Sequence, residues 1–215
     1  MTETALIDAG VEIPKPVRMT QAQRTELSDQ RMFDAAAELI LEVGTERTTL
    51  KDVGERAGYS RGLASARFGS KQSLFVALAD RCRRVWIDEL STAAKNKSGL
   101  ALLLSRIDAI TTFAEQQPLQ ARVMYVLWFE SVGAPSDINE SLARFHKQAR
   151  TDICEIVFSS EMFVGRGARK NAERFAARFC GTVFGLCYQW LVNPNAIDIR
   201  ANMNDIKKEL EAQYK

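Results

Sequence analysis

The sequence predicts an all-α protein of about nine helices. Apolar residues recur at helical spacing along most of the 215-residue chain, and no segment shows the alternation of apolar and polar residues that is typical of a strand. Glycine and proline residues interrupt the helical pattern at intervals. The predicted organisation is a flexible tail over residues 1–20, a three-helix unit over residues 21–75 and a larger helical domain over residues 76–215.

The first predicted helix begins near Ser28 and ends at Gly44. Pro14 and Pro16 precede it in a stretch without periodicity, which is why the N-terminal tail is expected to be flexible. The apolar residues of the helix form one stripe, expected to support the helices that follow. The stripe consists of Met32, Phe33, Ala36, Leu39 and Ile40.

The segment from Thr49 to Lys71 is predicted to form two short helices joined by a tight turn, followed by the start of a further helix. Thr49 is a good N-cap for the first of the two. Gly58 can adopt a positive φ without a steric cost, as a sharp turn between helices requires. Ser60 is predicted to cap the second short helix, which runs to about Phe68.

The second short helix has little apolar surface to bury. Two arginines, a serine and a glycine leave few apolar positions, a composition that suits a helix lying in the major groove of DNA. A solvated surface helix is the alternative interpretation. It gives no reason for Gly62, which costs about 1 kcal/mol of helix propensity.

This part of the sequence resembles the N-terminal signature of TetR-type transcriptional regulators over roughly residues 24 to 75. Three positions depart from that family's pattern: Gly54 stands where the family mostly has Ala, Ser65 where it usually has Tyr, and Arg67 where it has His or Tyr. The matching residues are Arg31, Met32, Phe33, Asp34, Ala35, Ala36, Gly44, Thr48, Thr49, Leu50, Asp52, Val53, Ala57, Gly58, Ser60, Gly62, Phe68, Ser70 and Lys71.

The resemblance implies that the three N-terminal helices bind double-stranded operator DNA. From their positions we expect Arg61, Leu63 and Ser65 to face base edges, Arg67 to face a base or a phosphate, and Gly62 to permit close approach of the backbone. The residues expected at backbone phosphates are Thr48, Thr49, Ser60 and Lys71. Lys15 and Arg18, in the tail, are placed where they could reach DNA as well.

Six further helices follow the first three. Ser70 caps a fourth helix long enough to connect two domains, and Pro118 separates the fifth helix from the sixth. The predicted ranges are about 100–113 for the fifth helix, 119–132 for the sixth, from Ser136 or Asp137 for the seventh, 170–192 for the eighth and 198–213 for the ninth.

The sequence offers little for catalysis. It contains one histidine, His146, and shows no nucleophile elbow, phosphate loop or metal-ligand spacing, so we expect neither an enzyme nor a cofactor or metal site. His146 is interpreted either as a partly buried structural residue or as a ligand contact. The four cysteines lie in apolar helical stretches without CxxC spacing and are expected to be buried thiols. No membrane span or export signal is recognised, which predicts a cytoplasmic protein.

Aromatic and sulfur-containing side chains crowd the fourth to eighth helices. They are interpreted either as ordinary core residues or, together, as the lining of a pocket for a hydrophobic or amphipathic small molecule. The predicted pocket residues are Trp86, Phe113, Met124, Tyr125, Trp128, Phe145, His146, Phe158 and Phe184.

The eighth helix carries apolar and small residues around more than one face, and the ninth carries a second apolar stripe. Pairing both helices with their copies about a two-fold axis predicts a four-helix interface and a homodimer. The predicted interface residues are Phe175, Phe179, Gly181, Thr182, Gly185, Leu186, Gln189, Trp190, Ile206 and Leu210.

Taken with the resemblance, these features predict a ligand-responsive transcriptional regulator, expected to repress until a small molecule releases it from its operator. Two alternatives stay open. One is a helical ligand-binding or scaffold protein with a weakened helix-turn-helix, which the serine at position 65 makes conceivable. The other is an all-α enzyme.

Overall fold

A computed structural model of the chain describes residues 19–133 and 137–214, and all regular secondary structure over these ranges is helical. The predicted all-α class is confirmed. Most of the predicted tail, and the predicted break at Pro135 and cap at Ser136, lie outside the described residues. The helices are α1 Gln21–Arg47, α2 Leu50–Arg56, α3 Leu63–Phe68, α4 Lys71–Ala94, α5 Gly99–Gln116, α6 Pro118–Glu130, α7 Asp137–Ser159, α8 Ala168–Val192 and α9 Ile199–Tyr214.

The first helix begins earlier than predicted, because a capping box starts it. The Thr20 hydroxyl accepts a hydrogen bond from the Gln23 backbone N–H, and the Gln23 side chain accepts one from the Thr20 N–H. The first turns of α1 carry few apolar residues, so periodicity alone could not find them. At Gly44 the backbone adopts φ 83°, which breaks the helix where the glycine predicts.

The N-terminal unit has a small core between α1, α2, α3 and the start of α4. Met32, Val53, Ala64 and Leu74 are fully buried there. On the surface, Arg56 of α2 donates to Glu42 of α1, with 2.7 Å between Nη2 and Oε2. This hydrogen bond lowers the pKa of the Glu42 carboxyl.

Helices α2 and α3 cross at a glycine. A Cβ added to Gly54 would lie 3.0 Å from the carbonyl oxygen of Ser60 and 3.7 Å from Cβ of Ala64. The Gly54 carbonyl also accepts a hydrogen bond from the Tyr59 backbone N–H at 2.9 Å. Because Gly54 has no side chain, α3 can pack closely on α2. We call α3 the reading helix, since it belongs to the segment predicted to lie in the major groove.

The larger domain packs α5 and α6 against α4 and α7, with α8 beside α7 and α9 lying on α5. Its core is strongly apolar, and the most completely buried side chains come from every one of these layers. They include Leu103, Ile107, Phe113, Val123, Leu127, Val157, Val183 and Met203. The structure contains no helix among its described residues that could cross a membrane.

All four cysteines are free and buried, as predicted. Burial raises the pKa of the thiols of Cys82 and Cys180 to about 11 and that of Cys187 to about 12. A thiol with so high a pKa is a poor nucleophile, so these residues act as small apolar side chains.

The α2–α3 crossing generates a first prediction. Replacing Gly54 with Val should lower the free energy of unfolding by about 1–3 kcal/mol, because its branched side chain meets backbone rather than a flexible side chain. Gly62→Ala is the matched control, since Gly62 has helical φ and ψ and open space around its Cα. Urea denaturation measures both, and equal stability of Gly54→Val and the unsubstituted protein would contradict the prediction.

Candidate functional site

The reading helix is shorter than predicted. Helix α3 begins at Leu63, not at Ser60, and Gly62 occupies its N-cap position without a side-chain hydrogen bond. The turn between α2 and α3 is longer than predicted, because the Ser60 carbonyl accepts a hydrogen bond from the Leu63 N–H at 3.0 Å. Ser60 is therefore a turn residue, and Arg61 projects from the turn that precedes the helix.

The outward surface of this element is polar and accessible. Arg61, Ser65 and Arg67 are exposed, while Ala64 faces inward and is fully buried. The Arg61 guanidinium pairs with Glu55, and Nε of Arg67 lies 3.0 Å from a carboxylate oxygen of Asp29 on α1. Leu63 is half-buried. Of the residues predicted to face base edges, Arg61 and Ser65 are therefore exposed, whereas Leu63 packs against the core.

Two residues predicted at phosphates have other roles. The Thr48 side chain is completely buried and its hydroxyl donates to the Gly44 carbonyl, so the prediction that it contacts phosphate is wrong. The Lys71 ammonium donates to the carbonyls of Thr45 and Glu46, the latter at 2.8 Å, and so neutralises the end of α1.

Other groups on this surface remain available to DNA. Thr49 is exposed at the N-terminus of α2, where its hydroxyl accepts the Asp52 N–H. Ser60 is exposed too. Lys51 extends from the same end of α2 and forms no ion pair with a described residue. Lys51 is not among the residues that the sequence predicts at phosphates.

In the larger domain, aromatic rings from α6, α7 and α8 form one cluster around Trp128. Its ring lies 4.8 Å from Tyr125, 4.6 Å from His146 and 5.4 Å from Phe184, measured between ring centroids. Phe145 packs on the same indole at 5.5 Å. Five of the predicted pocket residues, Tyr125, Trp128, Phe145, His146 and Phe184, are therefore neighbours.

An open groove runs along this cluster between α6, α7 and α8. Its volume is about 410 Å³, and its lining includes Tyr125, Trp128, His146 and Phe184. We call it the aromatic groove. The indole Nε1 of Trp128 is buried and has no hydrogen-bond partner. Because His146 is partly buried, its pKa is lowered, which keeps the imidazole neutral at neutral pH.

The other predicted pocket residues do not reach this groove. Trp86 lines an interior void of about 40 Å³ behind the cluster, and Phe113 and Met124 line, with Trp86, a still smaller one of about 10 Å³. Phe158 does not belong to the site: its side chain is on the surface, with the Arg169 guanidinium 5.3 Å from its ring centroid. It lies at the end of α7, where it contacts the first turn of α8.

The predicted dimer residues divide into two groups. Phe175, Phe179 and Leu210 are buried inside the protomer, so their assignment to an interface is wrong. The Phe175 ring packs on Phe179 and Tyr214 instead, with centroids 5.9 and 6.1 Å apart. The remaining predicted residues keep accessible surface: Gly181, Thr182, Gly185, Leu186, Gln189, Trp190 and Ile206.

Several of the accessible residues form what we call the outer face of α8, namely Gly181, Thr182, Gly185, Gln189 and Val192. No atom lies within 4 Å of a Cβ built on Gly181 or Gly185, so neither glycine is required by packing within the protomer.

Part of the apolar stripe of α9 lies inside the protomer, while Ile206 stays partly accessible. Ile199 and Met203 are buried, and the helix is held on α5 by an ion pair between Lys207 and Asp108, 2.6 Å apart.

Exposed apolar side chains continue from the outer face of α8 onto the end of α6. Phe129 is 55% exposed and Val132 is 79% exposed, and the Phe129 ring packs on Tyr188 at 4.8 Å. Sequence reasoning missed these residues. The available signal was an aromatic residue directly after Trp128, off the buried stripe of its helix.

The two domains meet where α6 reaches the end of α1. The Thr45 hydroxyl donates to a carboxylate oxygen of Glu130 at 2.6 Å, and Thr45 is buried in this contact. An open cleft of about 450 Å³ lies beside it, with Phe75 and Leu127 on its walls. This bond could not be predicted from sequence patterns, because its partners are 85 residues apart.

Comparisons with known proteins agree with this geometry. The sequence profile of bacterial regulatory proteins of the tetR family matches residues 33–78. The HTH-type transcriptional regulator TtgR of Pseudomonas putida is 24% identical over 199 residues, covering 89% of this chain and 91% of TtgR.

Solved structures show the same fold. A TetR-like transcriptional regulator from Rhodococcus sp. RHA1 superposes with a TM-score of 0.71 at 18% identity, covering 90% of this chain and 96% of that one. NalD of Pseudomonas aeruginosa, the secondary repressor of the MexAB-OprM multidrug efflux pump, superposes with a TM-score of 0.65 at 20% identity, covering 88% and 96%.

The single histidine of the chain generates a second prediction. Burial first, and the charge of Arg150 second, lower the pKa of His146 below its usual 6.5. The folded state then binds fewer protons than the unfolded state, so the free energy of unfolding should fall as the pH drops through about 6.5.

The His146→Gln variant should lose this component. Its melting temperature should change less than that of the unsubstituted protein between about pH 7.5 and pH 5.5. Thermal denaturation followed by circular dichroism measures the difference. The same pH dependence in both proteins would mean that His146 titrates normally in the folded state.

Proposed function

We propose that the chain is a TetR-type transcriptional repressor, which binds operator DNA as a homodimer and leaves it when a small apolar or amphipathic molecule binds. The observation that carries this proposal is the exposed reading surface formed by Arg61, Ser65 and Arg67 on a tightly supported helix-turn-helix.

The proposed DNA contacts follow from the exposure of this surface. Arg61, at the leading end of α3, is placed to reach a base edge once its surface ion pair with Glu55 opens, which costs little because the Arg61 side chain is 74% exposed. Arg67 forms an ion pair with Asp29, and it is proposed either to stabilise the packing of α3 on α1 or to contact a phosphate. Thr49, Ser60 and Lys51 are proposed to face the phosphates.

A two-fold dimer is proposed to form through the outer face of α8. Glycines four residues apart let two helices approach closely, and Gly181 and Gly185 serve no packing purpose within the protomer. The exposed apolar side chains Phe129, Tyr188 and Val192 border this face. Their burial by a partner chain would remove an apolar surface that a monomer would expose to water.

The effector is proposed to bind in the aromatic groove. This groove combines large apolar rings with few polar groups, which is the usual composition of small-molecule sites. The buried N–H of Trp128 has no acceptor among the described residues, so a ligand oxygen or nitrogen that accepts from it would relieve an unsatisfied donor.

Helix α6 is proposed to transmit the signal. It carries Tyr125 and Trp128 in the groove and ends at Glu130, which holds Thr45 of α1. A ligand that displaces α6 would shift the population between two placements of the DNA-binding unit.

A second candidate function is a ligand-binding protein with a weakened helix-turn-helix. It is favoured by one observation, that both arginines of the reading surface are paired with carboxylates. Fluorescence anisotropy with DNA from immediately upstream of the gene separates the two functions. Salt-sensitive binding that prefers this DNA over a scrambled sequence supports the repressor, and binding without sequence preference supports the second candidate.

A third prediction concerns sequence reading. Arg61→Ala should weaken operator binding by about 1–3 kcal/mol and relax sequence preference, because an arginine fork at a base edge is lost. Lys51→Ala is the matched control: it should weaken binding to all sequences alike and lower the salt slope by about one. Anisotropy titrations over a range of salt measure both. Equal losses on every sequence for Arg61→Ala would identify it as a phosphate contact.

A fourth prediction concerns the dimer. Gly185→Glu should produce monomers and abolish operator binding, since it places a charge at the centre of the proposed interface without a clash inside the protomer. Ala101→Glu adds the same charge at an exposed position on α5 and should stay dimeric. Sedimentation velocity measures the association state. A dimeric Gly185→Glu protein with full DNA affinity would place the interface elsewhere.

A further inference from the structure

Behind the aromatic groove lies the interior void of about 40 Å³ between α4, α5, α7 and α8. Most of its wall is apolar, and Trp86, Ile110 and Val183 contribute to it. Two charged residues also line it, Arg106 from α5 and Asp152 from α7. We call this space the buried void.

Arg106 is the unusual member of this wall. It forms no hydrogen bond or ion pair with any described residue, and its Nε is buried without a partner. Asp152 forms no direct ion pair with it, because no Arg106–Asp152 contact lies within 4.0 Å and the Asp152 carboxylate instead accepts from Gln148 at 2.7 Å. A partly buried charge without a counter-charge is unfavourable unless a bound group supplies one.

Phe184 separates the buried void from the aromatic groove. Its ring contributes to the lining of the groove, of the buried void and of the smaller void beside Met124. The ring is packed on Trp86 at 6.0 Å and on Trp128 at 5.4 Å, without any hydrogen bond from its side chain. Rotation of this one aromatic ring is therefore the shortest route to joining the spaces.

We propose that Arg106 is an anion-binding residue at the inner end of the effector site, and that the effector is an elongated amphipathic carboxylate whose apolar body lies in the aromatic groove. This inference rests on the proposed effector site of the repressor. A planar guanidinium can hold both oxygens of a carboxylate, which gives direction as well as affinity. The void alone holds no more than about one water, so the head group enters as Phe184 moves aside.

The test compares three probes with one apolar chain and different head groups: decanoate, decanol and decylamine. Isothermal titration calorimetry on the full chain measures their dissociation constants. We expect decanoate to bind most tightly, and Arg106→Gln to weaken decanoate by about ten- to a hundredfold while leaving decanol unchanged. Arg106→Lys keeps the positive charge but not the planar guanidinium. Its decanoate affinity should therefore lie between those of the unsubstituted protein and Arg106→Gln.

Two further variants control for charge and for location. Arg84→Gln removes an exposed arginine of α4 outside the groove and should not change decanoate binding. Asp152→Asn removes from the void a negative charge that repels the decanoate carboxylate, so it should tighten decanoate binding. Thermal denaturation of each variant checks that it is folded.

Three results would overturn the inference: equal affinity for decanoate and decanol, an undiminished decanoate affinity in Arg106→Gln, or tightest binding of decylamine, which would make Asp152 the head-group site. Operator binding by each protein without probe is measured separately. Arg106→Gln that binds DNA normally and shows one of these results would leave the repressor function standing, whereas loss of DNA binding by the unsubstituted protein would contradict that function alone.

Discussion

The hydrogen bond from Thr45 to Glu130 fixes where the DNA-binding unit lies relative to the larger domain. Thr45 follows the break in α1 at Gly44, and Glu130 is the last residue of α6, so the bond joins two helix ends. Lys71, at the start of α4, bonds to carbonyls of the same end of α1. Three helices therefore meet at one polar junction, and a displacement of α6 acts on α1 and α4 together.

Helix α6 also contributes Tyr125 and Trp128 to the aromatic cluster. The Tyr125 hydroxyl donates to the Phe184 carbonyl of α8 at 2.6 Å, which ties α6 to α8 through a buried bond. Close-packed rings leave only small voids behind the aromatic groove, so a ligand cannot enter these voids without moving a side chain. Because packed cores switch between discrete arrangements and do not deform continuously, such a movement is suited to a two-state response.

The helices were predictable from sequence because their periodicity and end signals are local. Gly44, Gly58 and Pro118 mark ends that the structure reproduces. The side-chain assignments were less predictable, since burial depends on the partner helix: Thr48 turned inward to Gly44, Phe158 turned outward to Arg169, and Phe175 entered the core. The sequence shows that Arg106 is charged, but only the structure shows that it forms no hydrogen bond or ion pair with a described residue.

Helix α8 links two of the proposed functions. Phe184 lines the groove and the voids behind it, while Gly185, the next residue, lies on the outer face and also borders the groove. In the proposed dimer, the partner chain would thus lie directly beside the effector. In that proposed dimer, a ligand that shifts α8 would change the separation of the two DNA-binding units, and by linkage the DNA-bound dimer would bind that ligand less tightly.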